Sequence, residues 1–303
     1  MPQPTFFTPY SEVCETFASA LGDWFLWGER TPVQGSPALL DWDRDIDTMP
    51  WTPSGLEECD RHGLQLFDAA FRVFEYVTAN GSESKDYLAF AAGLRSCVEA
   101  SALARWLIDK DLTSIDRLTR LGNLALSDLH HMRAAASNRA RGVGLSRDAL
   151  RRPEWAQAQV DIVETLSRLR GDLPVYDKDL PPRFGAYVSI TKQVVSLLAN
   201  ADSATANADM ARADYAMLSA PSHASFLTIR LLYEPTLQLG HLGRRRVQPP
   251  HEVIGHMLWC AGLALVHAHV ALARRLGWSV DPDLADLLTP ILKVMKLENG
   301  TDG

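Results

Sequence analysis

The chain has 303 residues, with 30 basic against 37 acidic side chains and a formal net charge of −7. At 47% hydrophobic, with a mean hydropathy of −0.09, it can bury a sizeable core, which excludes a disordered chain. The acidic total disfavours nucleic acid as a partner, since a general basic face is missing, although a local patch could still touch phosphate. Cys14, Cys59, Cys97 and Cys260 lie far apart, form no CxxC pair and sit in apolar patterns. They read as buried free thiols of a reducing, cytoplasmic compartment. The N-terminal MPQPTFFTPY lacks a charged region followed by a long apolar stretch, so no signal peptide is expected.

In chain order, Thr8-Pro9 opens a helix that fades near Gly28. Residues 28–52 mix Pro, Gly, Trp and Asp and predict a long irregular loop. Thr52-Pro53, with Ser54 and Glu57 in capping-box spacing, starts a second helix that stops at Asn80-Gly81. A third is predicted from about Ser84 to Lys110, a fourth from Ser114 to about Arg141, and a fifth from Pro153 to Arg170, stopped by Gly171. Residues 172–186 hold adjacent prolines and read as a linker. Shorter helices follow at about 187–200 and 205–219, Pro221 breaks the pattern, and it resumes through Ile229 and Leu232. Pro250 opens a long helix to Gly277, and Asp281-Pro282 opens a last one to about Leu297. Strand signals are nearly absent. The expectation is an all-α chain: a single large bundle of about eight or nine helices with long irregular loops. Residues 1–52 would form an N-terminal helix and a Trp- and Asp-rich loop packing on it, 53–297 the bundle, and 298–303 a tail.

The run from Val247 to Ala273 has no Lys or Arg and is long enough to span a bilayer. It carries Glu252, His251, His256, His267 and His269, which are costly in lipid, so a buried bundle helix is expected and no membrane partner.

The third helix carries the first functional signal. At about 100° per residue, Leu88, Ala92, Arg95, Glu99, Ala102 and Trp106 share one stripe, so Arg95 and Glu99 stand among apolar residues, one turn apart. Charge buried there must be paired or must face a polar cavity. The second signal is the segment Tyr215-Ala-Met-Leu-Ser219-Ala-Pro-Ser-His223. Ser219 is expected to cap a new helical piece containing Pro221, leaving His223 near a positive helix end that favours neutral imidazole, a general base or hydrogen-bond reader.

LRSCVEASALARWLID, the later YAMLSAPSHASF and a long apolar helix ending in Gly277-Trp278 together resemble a family of uncharacterised all-helical bacterial proteins. Its pattern, an Arg…Glu…Trp helix and a Tyr-x-x-Leu-Ser-x-x-x-His segment, falls here on Arg95, Glu99, Trp106, Tyr215, Leu218, Ser219 and His223. The resemblance spans roughly residues 85–278 and implies a shared fold and partnership of the two motifs at one site. Related helical families are HEPN-like, a superfamily with many RNases of toxin and phage-defence systems. Their Arg-to-His motif lies within one helix; here the spacing match runs from Arg244–Arg246 to His251 and crosses Pro249-Pro250.

Histidines and carboxylates also invite a metal. Glu252, His256, Cys260 and His267 fall on one side of the long helix, and Glu99 and His223 complete the candidate ligand set of Glu99, His223, His256 and His267. His251-Glu252-Val-Ile-Gly-His256 has one residue too many for HExxH, since its histidines stand about 140° apart. Asp128 and His131 imitate the carboxylate-x-x-His of di-iron bundles, but no second Glu-x-x-His occurs and His131 points away from the apolar stripe. Asp41, Asp43, Asp45 and Asp47 alternate as in a calcium loop, yet Ile46 and Thr52 stand where glycine and glutamate belong, leaving a solvated acidic loop with Trp42 and Trp51 tucked onto the bundle. Basic clusters at 139–152 and at Arg244–Arg246 read as solvated faces. No P-loop, dinucleotide fingerprint, nucleophile elbow or kinase signature occurs, so no cofactor is expected.

Three functions fit these observations. The first is a pocket of Arg95, Glu99, Tyr215, Ser219 and His223 that binds or processes a small or nucleotide-like ligand. The second is a metal-dependent helical-bundle enzyme. The third is a non-catalytic interaction module, with which a homodimer is compatible.

Overall fold

The computed structural model describes residues 7–26, 31–43, 55–81, 87–109, 111–144, 152–177, 180–185, 188–199, 208–222, 233–238, 241–246, 251–280 and 283–297. They form ten α-helices and two short antiparallel hairpins, so the chain is all-α in its class. A turn of 3₁₀ helix over Thr8–Tyr10 leads into α1 (Ser11–Leu26). Then come α2 (Pro37–Trp42), α3 (Gly55–Gly81), α4 (Tyr87–Ile108), α5 (Ser114–Gly142) and α6 (Pro153–Arg170). After α7 (Ile190–Ala199) and α8 (Ala208–Ser222) follow α9 (His251–Leu276) and α10 (Thr289–Leu297).

The termini follow the expected chemistry. Thr113 and Asp116 close a capping box on α5, Pro153 begins α6, and Gly171 ends it at φ 71°, a left-handed conformation open to glycine. At the end of α9, Gly277 at φ 75° lets Trp278 N–H reach back to the Ala273 carbonyl at 2.8 Å.

Three expectations change. The loop expected over 28–52 contains α2, whose Ser36 hydroxyl caps it and whose Pro37 fits the first turn. The linker at 172–186 carries β1 (Val175–Asp177) paired with β2 (Leu180–Arg183), and Pro181 and Pro182 are tolerated because a two-stranded ribbon is all edge. Where helix was expected to resume, β3 (Tyr233–Gln238) pairs with β4 (His241–Arg246), Tyr233 opposite Arg246. Pairing, rather than any run of β-branched residues, makes this hairpin.

The main core lies where α4 packs along α3 and α9, with α1, α7, α8 and α10 around them. Phe7, Tyr10, Cys14, Phe17 and Leu21 belong to this same core, so the N-terminal segment is part of the bundle's interior. Gly93 marks the closest α3–α4 approach, since a Cβ there would strike the Val77 side chain. A smaller core joins Leu107, Leu118, Leu121, Ile162, Leu166 and Phe184. Asn123 pins Phe184 through two hydrogen bonds of 2.9 Å, one each way, tying the β1–β2 hairpin to α5. The helix α9 is long and apolar enough to cross a membrane, with 67% of its most apolar window buried inside the bundle.

A buried charge cluster joins α2, α3, α5 and α9. Arg275 donates from Nε and Nη2 to the two oxygens of Asp60 at 2.8 and 2.9 Å, and from Nη1 to Asp41 at 2.6 Å and the Pro37 carbonyl at 2.8 Å. Trp42 Nε1–H donates to Asp60 at 2.9 Å, and Ser114 donates to Asp41 at 3.1 Å. Arg117 Nη2 donates to the Asp109 carbonyl at 2.8 Å, and its Nε lies 3.8 Å from Asp41. Asp41 therefore does not belong to a solvated acidic loop. It lies against two guanidinium groups, which is what lets a carboxylate leave water. Burial lowers the Arg117 pKa, with Arg275 adding to the effect; at Arg275 burial pulls the same way, but hydrogen bonds to Asp60 and Asp41 outweigh it. Asp45, Asp47 and Trp51 lie outside the described residues.

Candidate functional site

Arg95, Glu99 and Tyr215 meet, as the two sequence motifs predict. Arg95 Nε–H donates to Glu99 Oε1 at 2.7 Å, the Tyr215 hydroxyl donates to the same oxygen at 2.7 Å, and the Arg95 guanidinium lies 5.8 Å from the Tyr215 ring centroid. The stripe is less buried than its apolar neighbours suggested: the Arg95 and Glu99 side chains are 20% and 26% exposed. The fully buried face of α4 runs instead through Phe90, Ala91, Leu94, Cys97, Val98 and Ser101, and the Arg95 stripe flanks it, where α8 packs. Burial lowers the Arg95 pKa but the Glu99 bond more than compensates, and burial with the Glu99 charge raises that of Tyr215. The three groups pair with one another, so the trio clasps α4 to α8. Ser219 does not cap a new helix, because α8 continues through Pro221 to Ser222. Its Oγ is shielded within that last turn and has no hydrogen-bond partner among the described residues. His223 lies outside the described residues.

Among the described residues, the expected metal ligands do not gather at one point. Glu99 is engaged by Arg95 and Tyr215, His267 faces a cavity elsewhere on α9, and Asp128 and His131 are exposed on α5. His256 instead meets Asp214, Nε2 to Oδ1 at 2.7 Å, with Cys260 one turn further along α9. Among the described residues, these three are brought within ligating range of one another. Asp214 had no signal in the sequence, since its place beside α9 depends on how α8 crosses it.

A cavity of about 460 Å³ opens between α4, the start of α5, α7 and α9. It lies down the same flank of α4 as the clasp, lined by Arg105, Trp106, Arg120, Lys192, Gln193 and Arg274 among others. Arg105, Arg120, Lys192 and Arg274 face Asp109 and Asp111, an excess of cations on a chain whose total charge is negative. Arg120 donates to the Trp106 carbonyl and stacks 4.9 Å from that indole. Burial lowers the pKa of both Arg105 and Arg120. Two shielded polar atoms on these lining residues have no hydrogen-bond partner among the described residues: Nη1 of Arg105, a donor, and Oε1 of Gln193, an acceptor, whose own Nε2 donates to the Val188 carbonyl at 3.2 Å. Orphaned buried polar atoms are rare, and finding one of each sign at one cavity calls for an explanation. Of the cavity residues, Ala102, Trp106 and His267 are those named from the sequence. Arg105, next to Trp106, was hidden by its off-stripe position, and α7 supplied no charge pattern.

Arg244–Arg246 lie in β4 and His251 begins α9, so that Arg-to-His spacing runs from a strand into a helix. Comparison with protein-family models, with curated proteins and with solved structures finds no match to this chain.

Proposed function

We propose that this protein binds a small anionic, nucleotide-like ligand in the cavity between α4, α5, α7 and α9. The observation that carries this is the cationic excess of the cavity, two of whose lining residues, Arg105 and Gln193, each hold a shielded polar atom (Nη1 and Oε1) with no hydrogen-bond partner among the described residues. The volume lies within the usual range for small-ligand sites. A phosphate or carboxylate would accept from Arg105 while Lys192 and Arg274 supply charge from the rim. An amino group would donate to Gln193, and the Trp106 indole offers an aromatic wall. The Arg95–Glu99–Tyr215 clasp supports this site from one side by holding α8 against α4, two turns from Arg105. The ligand expected from sequence is thus retained, and its site moves along the same helix to groups that are not already satisfied.

Calorimetric titration with ATP, AMP and inorganic phosphate tests this. Binding of a nucleotide is expected to weaken on the order of tenfold or more in Arg105→Ala and in Gln193→Ala, matching the loss of a buried hydrogen bond to charge or amide. It should also weaken with added salt. Affinity unchanged in both variants, or no heat with any of the three at millimolar concentration, would overturn it.

A further inference from the structure

We infer that Asp214, His256 and Cys260 form a binding site for one divalent transition-metal ion, zinc by the chemistry of its donors, with three protein ligands and a fourth position open to solvent. His256 and Cys260 are four residues apart on α9, the spacing at which a helix presents two ligands to one point. Asp214 comes to that point from α8. The imidazole nitrogen, the thiol sulfur and a carboxylate oxygen all lie within 4.8 Å of one another. Tetrahedral zinc, with ligands at about 2.0–2.3 Å, sets its donors roughly 3.3–3.7 Å apart. The 2.7 Å contact of His256 with Asp214 would therefore open slightly and the longest separation close by about 1 Å, a range that side-chain rotation covers.

Donor identity selects the ion. Thiolate and imidazole together suit zinc or another borderline metal, and disfavour calcium and magnesium, which take oxygen. Exposure selects the type of site. Cys260 is 2% exposed and forms the floor, while the side chains of Asp214 and His256 are 23% and 31% exposed and leave the outer side to water. Three protein ligands with one solvent side is the arrangement of a site that can bind an exchangeable water or ligand, whereas structural zinc is usually enclosed by four. Cys260 is a poor candidate for a nucleophile in a Cys–His–Asp arrangement. Its sulfur lies beneath the surface, out of reach of substrate. On binding, the Zn–S, Zn–N and Zn–O bonds form as the thiol proton leaves to solvent. The site is separate from the proposed ligand cavity, since His256 and His267 are about 16 Å apart along α9.

Titration of chelator-treated protein with cobalt(II), followed by zinc(II) displacement, tests the assignment. One equivalent of cobalt is expected to bind with a thiolate-to-cobalt charge-transfer absorption in the near ultraviolet. Cys260→Ser should abolish that absorption. Asp214→Asn, at a partly exposed position where folding is undisturbed, should weaken zinc by more than about tenfold, at least the loss that follows removal of a mere supporting partner of a metal ligand. Absence of the absorption with the folded wild type, its persistence in Cys260→Ser, or unchanged zinc affinity in Asp214→Asn would each reduce the cluster to an ion pair beside a core thiol.

Discussion

Arg274 and Arg275 are neighbours in sequence, and they enter two regions that use charge in opposite ways. Arg275 turns into the protein and is enclosed by Asp60, Asp41 and the Pro37 carbonyl, every nitrogen engaged. Arg274, about 100° around the same helix, is exposed at the mouth of the cavity with Arg105, Arg120 and Lys192. In the first region Arg275 is matched at every nitrogen by Asp60, Asp41 and the Pro37 carbonyl, which ties the helices together, while Arg117 keeps Nε and Nη1 shielded without a hydrogen-bond partner among the described residues, Nε lying 3.8 Å from Asp41. In the second the cations outnumber the carboxylates among the lining residues. Even Asp109 divides this way: its backbone carbonyl accepts from Arg117 of the buried cluster, while the residue lines the cavity. The two regions thus differ in charge balance: guanidinium faces carboxylate in the first, and cations are in excess in the second.

The largest expected effect tests the matched region. Arg275→Ala strands two carboxylates away from water and should cost about 3–5 kcal/mol in urea unfolding, whereas Arg274→Ala should change stability by less than about 0.5 kcal/mol. Equal losses would remove the contrast. Next, Arg105→Ala should lower nucleotide affinity by about 1.5–3 kcal/mol with little loss of stability, because its desolvated Nη1 has no hydrogen-bond partner among the described residues to strand. Loss of stability instead would make Arg105 part of the scaffold.

Alkaline pH separates the regions again. Cys59, beside Asp60, is held protonated by burial first and by that carboxylate second, with its pKa raised from an ordinary 9.0. Since the unfolded thiol ionises first, its contribution is complete below pH 9 and is lost as pH rises beyond it. The unfolding free energy should fall by about 1.4 kcal/mol per pH unit for this thiol in that range, and Cys59→Ala should flatten the slope. Cys14, pushed up to about 12 by burial, adds the same sign. Smallest of all, Tyr215→Phe should cost about 1 kcal/mol of stability by removing one bond to Glu99, and should leave ligand affinity unchanged within twofold. A large affinity loss would move the ligand toward the clasp.

The candidate site was legible in part. Arg95, Glu99 and Tyr215 could be paired from sequence because periodicity exposes a charge in an apolar stripe, and a tyrosine one turn from a serine stands out on α8. The same clue led to the most satisfied polar groups of that flank. Arg105 and Gln193 have no comparable signature, since an unfilled hydrogen bond is a property of what surrounds an atom. His256 and Cys260 were visible on one side of α9, but Asp214 was not, and it decides where a metal would sit.

What the sequence determined by itself was the all-α class and most helix limits: Pro153 to Gly171 around α6, Ser114 at the head of α5, and the apolar run of α9. These are local matters, set by φ restrictions, caps and the 3.6-residue period acting within a few residues. Tertiary structure alone decided that Asp60 meets Arg275, 215 residues away, and that two poorly β-forming segments pair as a hairpin from Tyr233 to Arg246. It also decided which charges are matched. A charge is matched or stranded by the whole set of groups that packing brings to it, and no local pattern in the chain encodes that set.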